Sequence, residues 1–443
     1  MTVTAIGPFL LALALYVLAI CPDRLPFLIV FFAPFSATAV VNLTAVGYKS
    51  GAVGVTPAIL FALCYFGSQF GLGRATRSVV VSSGLVIQIY LIIIFVFTVI
   101  ISGALSEITG GMPAFKLAQT VYVLLGVAAT ITLSFEFCRP GAIDRALTAA
   151  RSAAVFTSLW GFLQVVCFYT GIPYPSFIFN NSMSDFADMF DQHGTDYIRI
   201  ASVAVEPSFF AASLLHFLAF GATILVCEPR LRTRGWIASV TLSGLAIICS
   251  TSSTGYVGLA VLAVLLLIRF PMQSVSLGAI AVVPLLLACL TFFPKLTEHI
   301  ESATIYKDQS RSYQDRMGAV SESFQVFSNH PIFGAGWGSG PNFSAISTML
   351  ADIGLIGTTI FLIACLATLF ELECRRAVSI NGSDWRLVAY ASGVQNALIV
   401  AFACAVTSGI KFVMMDDWCF WALGIAIASR LPGRIQASDQ KSV

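Results

Sequence analysis

The stretch FPKLTEHIESATIYKDQSRSYQDRMGAVSESFQVFSNHPIFGAGWGSGPNFSAISTMLADIGLI, Phe293 to Ile356, decides how the chain is read, because it is the longest polar interval in an overwhelmingly apolar sequence. Within it Arg311, Arg316 and His330 follow one another ahead of a glycine-punctuated turn, Gly334, Gly336, Gly338 and Gly340, and Asp352 stands just inside the next hydrophobic run. Loops of this length between membrane helices are functional rather than connective. The interval is therefore expected to cap a membrane-embedded site from outside.

The rest of the chain supplies the membrane part. Of 443 residues, 58% are hydrophobic and 10% charged, against roughly 25% charged residues in soluble domains. This excludes a soluble globule and predicts an all-α polytopic membrane protein. A span needs about 20 apolar residues. Windows fall near 5 to 21, 26 to 46, 54 to 72, 79 to 102, 117 to 137, 152 to 172, 205 to 227, 236 to 250, 254 to 270, 272 to 293, 344 to 370, 387 to 409 and 412 to 429. Short windows flanking Pro22 and Gly255 merge or split, which gives twelve to fourteen helices. With no internal repeat and no linker, residues 1–443 read as one integral membrane domain. The first run lacks a basic leader and a cleavage site, so it reads as a retained helix.

A net charge of +2 without a basic block gives no reason to expect a nucleic-acid partner. The cysteines lie in or beside apolar runs and outside both long polar loops, and no C-x-x-C pair occurs. Neither a disulfide framework nor a thiol-ligated metal is expected; the cysteines are small packing residues.

Basic residues collect in cytoplasmic loops. Sixteen fall on one side, with RLRTR at Arg230 to Arg234 the sharpest element, and eight on the other. The poorer side then carries both long loops, 173–204 and 294–344, and faces the periplasm in a Gram-negative cell. In the first loop Asp185, Asp188 and Asp191 are spaced by three, which reads as a solvated helical face, and His193 has no metal-ligand partner nearby.

At the end of that loop Arg199 precedes Glu206 and Pro207 where the chain enters the membrane. Proline and a carboxylate both suit a helix start, yet a charge near hydrocarbon is a functional candidate by default. His216, deeper in that helix, reads as a hydrogen-bonded core residue. Arg311 and Arg316 are five apart, about 140° around a helix of 3.6 residues per turn. Their guanidinium forks suit phosphate oxygens; salt bridges to Asp308, Asp315 or Glu322 are the alternative. His330 can take a proton from a hydroxyl near neutral pH, or cap its helix before Pro331. Trp337 reads as an interface anchor, and Asp352 as a partner for an arginine. Lys411, Asp416 and Asp417 are expected to neutralise one another.

Taken together, Arg199 then Glu206, Pro207 and Ser208, the Ser-rich turn Ser250 to Gly255, and Ser310, Arg311, Arg316, Phe327, His330 to Gly334, Gly336, Asp352 and Gly354 to Gly357 resemble the O-antigen polymerase and ligase family of membrane glycosyltransferases. The resemblance covers Arg199 to Gly357; the first six helices match only in hydropathy. It implies a GT-C-like, cofactor-free and metal-independent transferase with a large periplasmic loop over its site. Donor and acceptor would be undecaprenyl-diphosphate-linked glycans drawn from the lipid. It maps diphosphate binding onto Arg199 and Arg311, with Arg316 as a further candidate. Two positions depart from the family pattern: Pro341 and Asn342 stand where the ligase branch has a His-Asn pair, and Thr254 stands where many relatives have an arginine.

The expected function is polymerisation of lipid-linked repeat units at the outer face of the bacterial inner membrane. Glu206, His330 and Asp352 are the catalytic candidates, and a chain-length regulator and a flippase are the expected partners. The alternatives are a ligase passing glycan to lipid A or protein, and a transporter of polysaccharide or lipid-linked oligosaccharide.

Overall fold

Backbone N–H and C=O groups find no water in hydrocarbon, so apolar stretches close their hydrogen bonds internally as helices. The computed structural model describes residues 2–44, 52–71, 83–110, 114–182, 198–273, 311–339, 343–409 and 414–430. Its helices are α1 (Gly7–Ile20), α2 (Leu25–Phe32), α3 (Pro57–Gly71), α4 (Ser83–Gly110), α5 (Ala114–Phe137), α6 (Ala142–Thr170), α7 (Ser176–Phe179), α8 (Pro207–Cys227), α9 (Arg234–Cys249), α10 (Ser253–Arg269), α11 (Arg311–Asn329), α12 (Ala345–Asn381), α13 (Trp385–Ser408) and α14 (Met415–Ala428). Strands β1 (Thr2–Val3), β2 (Val41–Thr44) and β3 (Ala52–Val55) form an antiparallel sheet, with Thr2 opposite Asn42 and Val41 opposite Val55.

The protein is an all-α polytopic membrane protein. Among the described residues six helices, α4, α5, α6, α8, α12 and α13, are long and apolar enough to cross a membrane. A seventh span counts if α1 and Pro22–Phe32, bent by 119°, are taken together. The windows at 54 to 72, 236 to 250 and 254 to 270 yield apolar helices too short for a full span. The window at 26 to 46 is not one helix: α2 has eight residues, and the chain then turns through Pro34 and pairs as β2. The window at 272 to 293 beyond Gln273, the loop residues 294–310 and the acidic run at Asp185, Asp188 and Asp191 with His193 lie outside the described residues.

Side-chain contacts sort the bundle into two ends. At one end Arg386 meets Asp144 at 2.6 Å, Arg375 donates to the Ala428 carbonyl at 3.0 Å, and Arg269 lies 3.9 Å from Glu373. Arg145 stacks over Phe27 and Arg151 over Trp236 at the same end. These are residues that the sequence assigns to the basic side. The opposite end receives the starts of α8, α10, α12 and α14, the end of α13, and the β-sheet. Between the ends α8 is buried on nearly every side against α9, α10, α13 and α14. Its small residues Ala211, Ala212, Ser213 and Ala219 permit that close approach.

Within the expected outer loop α11 is a helix of 19 residues. Ala319 and Ser323 are buried and the helix packs on α12.

Candidate active site

Two groups of polar residues gather at the less basic end. The first surrounds Arg199. Its Nε donates to Thr251 Oγ1 at 3.2 Å and its Nη2 to the Thr251 carbonyl at 3.4 Å. Thr251 lies in the Ser-rich turn between α9 and α10 with φ of 45°, and Ser202, three residues after Arg199, has φ of 53°. Left-handed backbone in a residue other than glycine costs about 1–3 kcal/mol and persists where the surroundings enforce it. The surroundings do so here. Gln164 Oε1 accepts from the amides of Ala201 and Ser202, both at 3.1 Å, and Ser202 Oγ donates to the Thr157 carbonyl at 2.6 Å. The segment bearing Arg199 is thereby clamped to α6.

Glu206 caps α8 with extended backbone, and its carboxylate accepts a hydrogen bond from Ser208 Oγ. Next to the Ser-rich turn, Cys404 Sγ of α13 donates to the Thr254 carbonyl at 3.7 Å. Thr254 Oγ1 is buried without a hydrogen-bond partner among the described residues. One turn further along α13, the Thr407 carbonyl accepts from Arg316 Nη1 at 3.2 Å. Thus α13 brings Arg316 to the neighbourhood of the turn that holds Arg199. Arg316 forms no salt bridge among the described residues, so neither Asp315 nor Glu322 neutralises it, and its Nε is buried without a partner. Asp308 and Lys411 lie outside the described residues. Arg311 opens α11, and only its backbone is described.

The second group is the glycine-rich turn and the helix break that receives it. Inside α12, Gly354 has φ of 66° and ψ of −168°, which interrupts the helix. The turn runs alongside that break. Ala335 N donates to the Ala351 carbonyl at 2.8 Å, Gly336 N to the Asp352 carbonyl at 3.0 Å, and Leu355 N to the Pro331 carbonyl at 2.9 Å. A Cβ on Gly334 would come within 2.4 Å of the Asp352 carbonyl, and one on Gly354 within 2.4 Å of the Ile332 carbonyl oxygen. The two halves of the sequence pattern, H-P-I-F-G-x-G and D-x-G-L-I-G, are therefore the two sides of one backbone clasp.

Asp352 is 2% exposed. Its carboxylate accepts from the amides of Gly338 at 2.8 Å and Ser339 at 2.9 Å, the charge-assisted pairing that a carboxylate makes with backbone donors. The turn's amides are thus partners of Asp352 among the described residues. Ser102 of α4 closes the clasp by donating to the Asp352 carbonyl at 2.6 Å and accepting from Gly336 N at 3.0 Å. Lys116 of α5 reaches the Ala335 carbonyl at 3.3 Å and Ser106 Oγ at 3.5 Å. Trp337 is a correction to the sequence reading: it is 3% exposed and packs edge-on against Phe95, so it is a core residue and no interface anchor.

His330 ends α11 and is exposed at the start of the turn. Fourteen residues separate it from Arg316 on one helix, about 21 Å at 1.5 Å per residue. The helix therefore holds the two at opposite ends, too far apart to grip one phosphate. Pro341 and Asn342 lie outside the described residues. Among the described residues no group of three His, Cys, Asp or Glu side chains is placed to hold a metal ion.

Residues 238–362 match the O-antigen ligase family. The O-antigen ligase match takes in the Ser-rich turn, α11, the clasp and the break in α12, and it supports placing the protein among the O-antigen ligases and polymerases. Their activity is glycosyl transfer, with lipid-linked glycans as substrates. Arg199 and Glu206 precede the match, and Arg199 reaches into it through Thr251. Gln164, Ser102 and Lys116 were missed by sequence reasoning, which had singled out the turn that holds Thr251. Only Thr251 carried a signal, its place in a hydroxyl-rich turn between two apolar helices. No curated protein matches the chain.

Proposed function

We propose that the protein polymerises undecaprenyl-diphosphate-linked oligosaccharide repeat units into O-antigen or exopolysaccharide, by metal-independent transfer at the periplasmic face of the bacterial inner membrane. The observation that carries this reading is the seat of Arg199. A permanent positive charge is held by a hydroxyl and a carbonyl of a strained turn, beside the α13 end that holds Arg316. In this reading Arg199, Arg311 and Arg316 take the diphosphate. That group leaves readily, so the protein's work is to neutralise the charge developing on it and to align the acceptor hydroxyl.

Glu206, at the mouth of α8, orients or deprotonates that hydroxyl, with Ser208 holding its carboxylate. His330 is the second candidate for the base. Asp352 acts through the clasp, as a positioning residue. The whole chain works as one membrane domain, alongside a flippase that delivers repeat units and a regulator of chain length.

The ligase reading, transfer to lipid A or protein, is favoured by the description of the family matched at 238–362. One experiment separates the two. Purified protein incubated with undecaprenyl-diphosphate repeat units yields a ladder of products if it polymerises. A single glycan transfer that appears only when lipid A is added identifies a ligase. Repeat units left unchanged under both conditions count against both readings.

A further inference from the structure

An ionisable cluster lies inside the bundle between α8 and α14, apart from the groups described above. His216 is 3% exposed and Asp416 is 4% exposed. His216 Nδ1 lies 2.9 Å from the Ala212 carbonyl, one turn earlier in α8, and Nε2 lies 3.0 Å from Asp417 Oδ1. Ser213 Oγ is hydrogen-bonded to Asp416 Oδ2. Ser213 and Asp416 also line a cavity whose other walls are apolar, among them Pro34, Ala153, Ala154 and Phe420.

Proton counting follows from the geometry. A carbonyl only accepts, so the Nδ1 facing Ala212 carries a proton. The contact between Nε2 and the Asp417 carboxylate needs another, on the ring or on the acid. The pair therefore holds two protons and is neutral as a unit in either arrangement. Asp416 is left over. Among the described residues, the titratable groups that face the two aspartates from the packed elements are His216 on α8, Cys419 on α14 and Cys365 on α12. None adds positive charge beyond what His216 shares with Asp417, and Lys411 lies outside the described residues. Burial in such surroundings disfavours the charged form of an acid.

We propose that Ser213, His216, Asp416 and Asp417 form a membrane-embedded proton site, with the proton itself as the ligand. Filled, Asp416 is a neutral acid hydrogen-bonded to Ser213 beside the cavity, and α14 packs on α8 without net charge. Emptied, the site leaves one negative charge between the two helices, so proton occupancy is linked to the seating of the helix that begins at Glu206. The cluster does not depend on the transferase reading.

Infrared spectroscopy of the full chain in lipid nanodiscs at neutral pH, without substrate, tests it. The expected spectrum has the carbonyl band of a protonated carboxylic acid, which shifts on labelling with carboxyl-13C aspartate and is absent from Asp416→Asn. Ser213→Ala removes the hydrogen bond and moves the same band to higher frequency, which serves as the test if Asp416→Asn does not fold. A wild-type spectrum without the band, as an ion pair between Asp416 and Lys411 would give, overturns the proposal. So does a band that persists in Asp416→Asn, or one that Ser213→Ala leaves in place.

Discussion

Around Arg199, hydroxyl and carbonyl groups hold a guanidinium at the end of the bundle; around Asp352, a carboxylate holds the backbone amides of the glycine-rich turn. Both residues belong to the same run of sequence signals, yet the described partners of Asp352 are amides of the neighbouring turn, while those of Arg199 lie across the bundle end in the Ser-rich turn. Gly354 and Gly334 complete the clasp by letting two backbones meet where no Cβ fits. In the proposed reading one motif residue carries the ligand and the other carries the shape of the site.

Substitutions sharpen or break that contrast. Arg199→Ala has the largest expected effect: a loss of about 100- to 1000-fold in transfer, the usual cost of removing one preorganised donor to developing charge. Its melting temperature stays near wild type, measured by thermal unfolding in detergent. Equal losses of stability and transfer would put Arg199 with the clasp. Gly354→Ala acts the other way. Left-handed strain and a 2.4 Å contact together cost about 2–4 kcal/mol of stability, read as a lowered melting temperature. An unchanged melting temperature would mean that the clasp is not a rigid unit.

Asp352→Asn is the sharper probe of the same clasp. An amide side chain sets a donor against a backbone N–H, so about 1–3 kcal/mol of stability is lost. Transfer per folded molecule stays within about tenfold of wild type, in line with a positioning role. A stable variant with transfer abolished would make Asp352 a catalytic residue. The smallest effect belongs to His330→Ala, an exposed change expected to stay within about 0.5 kcal/mol in stability and to leave transfer nearly intact. A hundredfold loss there would move the base from Glu206 to His330.

Much of the fold was legible. Pro207 marked the start of α8, and the basic residues marked one end of the bundle, because charge and backbone chemistry act locally. The break after α2 was not. A hydropathy window counts apolar residues whatever their conformation, and Val40, Val41 and Leu43 are as apolar in a strand as in a helix. Nor was α11, whose apolar residues are too few for a membrane window although Ala319 and Ser323 bury one face. The candidate site was half legible. Arg199 and Glu206 stood out as charges at a membrane edge, whereas the partner of Asp352 depended on backbone amides, which every residue has and no sequence pattern marks. His216 and Asp417 meet across about 200 residues, a distance in sequence over which no spacing rule operates.

The central claim, that guanidinium groups at this end of the bundle hold a lipid-borne diphosphate, is tested most directly by native mass spectrometry of the protein titrated with undecaprenyl diphosphate. Wild type and Asp352→Asn are predicted to bind one lipid with similar affinity, and Arg199→Ala to bind it at least tenfold more weakly, with undecaprenol bound weakly by all three. Equal binding of the diphosphate by wild type and Arg199→Ala would contradict the account.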